Sequence, residues 1–277
     1  MERTMMKMEK EKNFKEIIAE QYERGELPVL GRKDTFEFAC IQCGECCRNR
    51  EDILLNPFDI FRLCKAKEMT VVEFFKKYCE LYTGESSKLP LAIIKFRPVY
   101  ELGSDRVIGT RCPFLGQKDG LHFCRVHKDK PFVCSSYPLG RVQKGKAKPE
   151  YILQTDGTCK GAMKAKVEGI HQVVEDWMFG KERLDIEERY NEIFSCFLGN
   201  YHSWINVKRL AESRKALPIY QKWLATVGEL LYVNYDFTAD ENTFPDQLQA
   251  NIGAIEELCK FVVSEFSEML DLRPKKK

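Results

Sequence analysis

FACIQCGECCRNR, residues 38–50, places Cys40, Cys43 and Cys46 at C-x2-C-x2-C spacing, with Cys47 directly after. In a short loop, C-x2-C turns two sulfurs toward one point, and a third sulfur at the same spacing continues the wrap. That geometry sets thiolates at the corners of a tetrahedron or a cluster. Gly44, inside the run, permits a tight turn that brings backbone amides close to the sulfurs. Neighbouring side chains diverge, so Cys46 and Cys47 are expected to serve different centres, or one of them to stay free.

Further sulfurs follow in RCPFL, HFCRVH, KPFVCSSYP and GTCKG, which supply Cys112, Cys124, Cys134 and Cys159. With the first four, these thiolates suffice for two four-coordinate centres, or for one centre and a redox pair, and the spacing leaves both open. Cys112-Pro113 resembles the Cys-Pro that closes ferredoxin-type sets. Arg48, Arg50, Arg111, Arg125 and Lys130 crowd these cysteines. Positive charge lowers a thiol pKa and offsets the charge of a thiolate cage. Cys64, Cys79, Cys196 and Cys259 fall in helical apolar patterns and read as small core residues. His122 and His127 flank Cys124 and read as surface or supporting groups rather than ligands. His171 and His202 read as structural, Phe114 and Tyr137 as packing over the site, and Glu187-Glu188 as a solvated helix face.

Around the cysteines the pattern is mixed. A charged helix is expected over 5–24. Asn56-Pro57 with Asp59 marks one helix start, and Thr70 with Glu73 marks a capping box for a second helix over 71–82. LAIIKF, RPVYEL and RVIGTR alternate as strands, with Gly103-Ser104-Asp105 as a turn. Residues 112–149 show little periodicity, and a loop that long needs an organiser such as a metal. EYILQT (150–155) reads as a strand. Helices are expected at 161–179, 185–198, 204–215, 219–232 and 246–271. Leu248, Ile252, Ile255, Leu258, Val262, Phe266 and Leu270 recur at helical spacing in the last. The fold class is therefore α+β, a small antiparallel sheet with cysteine-rich metal-binding loops plus a mainly helical C-terminal extension. Its expected organisation is an N-terminal helix (1–29), a cysteine-cluster domain (30–162) and a helical extension (163–277).

The chain has 277 residues, 12 of them cysteine, and a net charge of +2. That balance gives no argument for nucleic acid or an anionic membrane as partner, and neither is expected. No apolar run reaches the roughly 18–20 residues of a membrane span. The N-terminus is too charged for a signal-peptide core, so a cytoplasmic location is expected. In that reducing compartment dense cysteines signal metal or redox chemistry rather than disulfides. No Ser-His-Asp set, P-loop or dinucleotide fingerprint is present, so catalytic residues are unassigned and the sequence does not decide whether the chain is an enzyme.

The ordered run C-x2-C-G-x-C-C, C-P-F-L, C-x-V-H, K-P-x-x-C-x-x-Y-P and C-x-G, over roughly 36–162, resembles the CxxCxxCC cysteine-cluster family. These are YkgJ-like zinc- or iron-chelating proteins, and flagellin lysine methylase-like proteins share the pattern. The resemblance implies Cys40, Cys43, Cys46, Cys47, Cys112, Cys124, Cys134 and Cys159 as metal ligands, with no cofactor site beyond them. The chain departs from many relatives at Ser135, where they carry arginine. Zinc favours paired C-x2-C knuckles at both ends of a site, whereas single dispersed cysteines joining a C-x2-C-x2-C run suit an iron–sulfur cluster. The expected function is thus an iron–sulfur protein with a redox or electron-transfer role and a redox or other protein partner. The alternatives are a zinc-stabilised binding module and, by resemblance, a protein lysine methylase.

Overall fold

Cap chemistry fixes the two helices that follow the cysteine loop. Asn56 Oδ1 accepts the Asp59 N–H (2.7 Å), and Asp59 Oδ2 accepts the Asn56 N–H (3.1 Å). Pro57, which has no N–H to satisfy, opens the helix Pro57–Ala66. Thr70 and Glu73 exchange the same pair of bonds at the start of the helix Val71–Tyr78. The structure is a computed structural model that describes residues 18, 20–50, 53–142, 148–154, 159–270 and 272–273. Most of the charged helix expected over 5–24 lies outside these residues; residues 20–23 are helical.

The fold is α+β, with small antiparallel sheets and a helical C-terminal region. The chain forms two units, each assembled from separate stretches: residues 1–41 with 136–181, and residues 42–135 with 182–277. In the first, Glu150–Leu153 pairs on one side with Val29–Leu30 and on the other with Leu139–Val142. His171–Val173 pairs with Thr35–Glu37 in a separate ribbon. The single helix expected over 161–179 is interrupted here. Lys160–Glu168 ends at Gly169, whose backbone is left-handed (φ 66°), and the chain extends into that ribbon before a short helix, Val174–Trp177. Pairing with Thr35–Glu37 outweighs helical continuation.

In the second unit Pro90–Ile94 is the centre of a three-stranded sheet between Leu54–Leu55 and Cys79–Thr83. The helix expected over 71–82 therefore stops at Tyr78, because the residues after it are taken into the sheet. Arg97–Tyr100 and Val107–Arg111 form the expected hairpin, with a bulge at Val99/Tyr100. A second hairpin, Leu115–Lys118 with Leu121–Cys124, occupies sequence that had read as structureless. Its two-residue turn is Asp119-Gly120, both at positive φ (51° and 80°), the geometry that Asp-Gly favours in tight hairpins.

The helices Lys181–Asn200, Val207–Glu212, Leu217–Tyr232 and Phe244–Leu270 complete this unit. They supply much of its core. The Phe58 ring lies 4.9 Å from that of Phe244 and 6.1 Å from that of Tyr190. Phe61 lies 5.3 Å from Phe237. Leu248, Ile252, Ile255 and Val262 of the last helix are buried, as their spacing predicts. Cys64, Cys79 and Cys259 are buried and Cys196 is half-buried. Cys79 opens a strand rather than sitting within a helix. Among the described residues no helix is long and apolar enough to cross a membrane.

Candidate metal centre

The cysteine loop turns at Gly44, which is left-handed (φ 75°), into a short 3-10 turn, Glu45–Cys47. Two neighbours hold the loop. On one side Arg48 bridges to Arg111, the Asn49 N–H donates to Thr110 O (2.9 Å), and the Cys112 N–H donates to Cys47 O (2.8 Å). The Thr110 N–H in turn donates to Asn49 Oδ1 (3.0 Å). Cys47 and Cys112 are thereby set side by side. On the other side the His122 N–H donates to Gln42 O (3.2 Å), and Arg48 Nη2 lies 2.8 Å from His122 Nε2. A side chain at residue 44 would place its Cβ 2.9 Å from the His122 ring, so only glycine lets the loop lie this close. His122 thus braces the loop, the supporting role its position had suggested, and it brings along Cys124, two residues further on.

Cys46 and Cys47 do not diverge: their Sγ atoms are 3.8 Å apart. The 3-10 turn rotates adjacent side chains by less than a strand would, and this corrects the expectation that the two side chains diverge. Two thiolates held about 2.3 Å from one tetrahedral metal are themselves about 3.8 Å apart. The other sulfurs of this unit join them electrostatically. Cys47 feels the charges of Cys46, Cys112 and Cys134. Cys134 feels those of Cys112, Cys124 and Cys46. Cys112, Cys124 and Cys134 are half-buried against the core. Cys43 belongs to the same unit and is half-buried.

Cys40 and Cys159 belong to the other unit. There the Ala39 N–H donates to Gly161 O (3.2 Å), and a Cβ on Gly161 would meet Ala39 O at 2.6 Å. This close backbone crossing carries Cys40 and Cys159 on its two segments, one residue from Ala39 and two from Gly161.

The thiols differ sharply in acidity. Cys46 is lowered to about 6, chiefly by the hydrogen bond from Cys47 and then by the charges of Lys130 and Arg50. Cys47, the partner in that contact, is pushed the other way, with burial adding to the effect. Burial raises Cys112 to about 11, opposed by hydrogen bonds from the Phe114 and Leu115 amides. It also raises Cys124, opposed by the Val126 amide. Burial raises Cys134 as well. Amide N–H groups aimed at sulfur are a feature of thiolate metal sites, where they stabilise the charge that the metal requires on its ligands.

A buried ion pair holds the loop that carries Cys134. Asp59 and Arg62 are 1% and 0% exposed. Asp59 Oδ1 accepts from Arg62 Nη2 (3.1 Å) and from the Phe132 N–H (2.8 Å). Arg62 Nη2 also donates to Lys130 O (3.2 Å) and lies 3.6 Å from Glu187. Glu187 is 3% exposed and pairs with Arg183 (3.1 Å), so it is a core anion rather than part of a solvated face. Burial raises the Asp59 carboxyl to about 6, against the opposing pull of Arg62. Sequence reasoning took Asp59 only as a helix-start charge and passed over Arg62. The available signal was an Asp-x-x-Arg pair inside PFDIFRLC, a helix apolar on every other side.

Several soft thiols, amide donors at the sulfurs and nearby positive charge suit a thiophilic metal. Among the described residues, no group of three or more His, Cys, Asp or Glu is placed to hold a metal ion. The arrangement is a gathered set of donors rather than a finished polyhedron. The result is a cysteine-rich region on an α+β scaffold. Residues 39–160 match the model of the CxxCxxCC family, described as "Putative zinc- or iron-chelating domain". No curated protein and no solved structure matched the chain.

Proposed function

We propose that the chain binds an iron–sulfur cluster, drawing its ligands from Cys43, Cys46, Cys47, Cys112, Cys124 and Cys134, and uses it in electron transfer with a protein partner. The observation that carries this reading is the Cys112 N–H bond to Cys47 O (2.8 Å), which sets Cys112 beside Cys47, whose Sγ lies 3.8 Å from that of Cys46; the charge of Cys124 acts on Cys112, and that of Cys112 on Cys134. They are more thiols than one zinc ion needs, and Cys112, Cys124 and Cys134 join the first run singly rather than as a second paired knuckle. The amides of Phe114, Leu115 and Val126 would bond to cluster-bound sulfur, one of the levers that sets a cluster's potential. Such a cluster would supply reversible one-electron chemistry. The protein's own part is to hold the thiolates, shield them with Phe114 and place Lys130 and Arg50 to offset their charge. Cys40 and Cys159 form a second candidate pair, for a further centre or for redox exchange.

A zinc-stabilised reading draws on one specific observation, the Cys46–Cys47 separation of 3.8 Å, which equals the edge of a tetrahedron around a single ion. Anaerobic purification followed by iron, zinc and acid-labile sulfide determination separates the two. Iron and sulfide in equal stoichiometry, with a brown colour that bleaches and returns on reduction and reoxidation, supports the cluster. A colourless protein carrying stoichiometric zinc overturns it.

A further inference from the structure

We infer that Arg62 is a positioning residue for the metal ligand Cys134, acting through the backbone of the loop 130–134 and held in place by Asp59 and Glu187. This rests on the reading that Cys134 is a ligand. Arg62 is fully buried, and its Nε and Nη1 find no hydrogen-bond partner among the described residues. Its hydrogen bonding therefore converges on Nη2, which reaches both Asp59 Oδ1 and Lys130 O. Asp59 Oδ1 accepts in turn from the Phe132 N–H. The loop is thus hung from the helix Pro57–Ala66 at two points that straddle Pro131. Pro131 has no N–H of its own, but its carbonyl accepts from the amides of both Cys134 and Ser135 (2.9 Å each). Three hydrogen bonds in sequence therefore connect a buried guanidinium to the backbone that carries the Cys134 sulfur.

Ser135 completes the turn locally. Its Oγ lies within hydrogen-bonding distance of Pro131 O (3.2 Å) and Phe132 O (2.9 Å). The same two anchors fix Lys130, one of the charges that favours the Cys46 thiolate. Glu187, on the helix Lys181–Asn200, is the second anion beside Arg62 and is itself clamped by Arg183. A helix far along the chain from the cysteine motif therefore contributes to the placement of one of its sulfurs. A guanidinium suits the task because it keeps its charge when buried and its planar fork offers several donors.

The test uses the full chain loaded with cobalt(II), whose thiolate-to-metal absorption scales with the number of sulfur ligands. Arg62→Met should weaken cobalt affinity by about 10- to 100-fold, the usual loss when a group supporting a ligand is removed. It should also lower the absorption by one ligand's share. Arg62→Lys, which keeps the charge without the fork, should recover part of both. In a Cys134→Ser background, Arg62→Met should change neither, because its effect runs through that sulfur. Full absorption and affinity in Arg62→Met, with only a lower melting temperature, would reduce the arginine to a core element and overturn the proposal. Additive losses in the double variant would do the same. Should Arg62→Met not fold, Glu187→Gln and Arg62→Lys carry the same measurement, and wild-type spectra in both overturn it. If Cys134→Ser alone leaves the spectrum at wild-type intensity, the ligand assignment itself fails and takes this inference with it.

Discussion

At the scale of the residue, the adjacent thiols Cys46 and Cys47 divide their labour. The Cys47 S–H stabilises the Cys46 thiolate, and Lys130 and Arg50 reinforce it. A lowered thiol pKa means that the anion, which is the nucleophile, persists at neutral pH and disappears only as the pH falls through about 6. In metal-free, reduced protein, Cys46 should therefore react with iodoacetamide faster than Cys112, Cys124 or Cys134. Its rate should fall as the pH drops from 7 to 5, whereas an ordinary thiol loses reactivity near pH 8.5. Peptide mass spectrometry after timed quenching reads this directly, and equal rates across the four thiols would refute it. The sequence made these sulfurs legible as a set. It did not reveal that the neighbours converge, because side-chain direction depends on a 3-10 turn that spacing alone does not specify.

At the scale of the element, the loop depends on Gly44 in two separable ways. The left-handed backbone disfavours any other residue by about 1–2 kcal/mol. A Cβ there would also press into the His122 ring, which in turn contacts Arg48. Gly103 offers a control: it shares the positive φ (76°) but faces open space. Gly44→Ala should lower both the melting temperature and the bound metal, whereas Gly103→Ala should cost only the backbone term and leave metal content unchanged. Metal analysis of the two variants side by side checks this, and equal metal in both would argue against the His122 brace. Elements with strong end signals were readable in the sequence, as the helices begun by Asn56-Pro57 and Thr70 show. The hairpin Leu115–Cys124 was hidden because its strands, LGQK and LHFC, are only four residues each and alternate weakly, although Asp119-Gly120 marked its turn. The break at Gly169 was hidden for another reason: it follows from pairing with Thr35–Glu37, more than a hundred residues earlier.

At the scale of the whole molecule, the cysteine motif and its scaffold come from different parts of the chain. Phe58 and Phe61 bury themselves against Tyr190, Phe237 and Phe244, and the Phe75 ring packs on Tyr232, all partners from beyond residue 181. A fragment of residues 30–162 contains every cysteine of the motif but lacks those partners. It should therefore be aggregation-prone or molten, with poor amide dispersion in NMR spectra even when metal is supplied. A well-dispersed, metal-loaded fragment would show that the motif folds unaided. The sequence suggested consecutive segments because motifs and composition change along the chain near residue 162. Contacts instead group the residues by discontinuous stretches, and no local signal encodes which distant stretch returns to cover which face.

Discontinuity has a consequence for biosynthesis. Translation proceeds at about 5–20 residues per second, so Cys134 leaves the ribosome roughly ten seconds before the last residues of the helix Phe244–Leu270. Throughout that interval the nascent thiols stand without the aromatic wall behind them, open to oxidants and to whichever ion reaches them first.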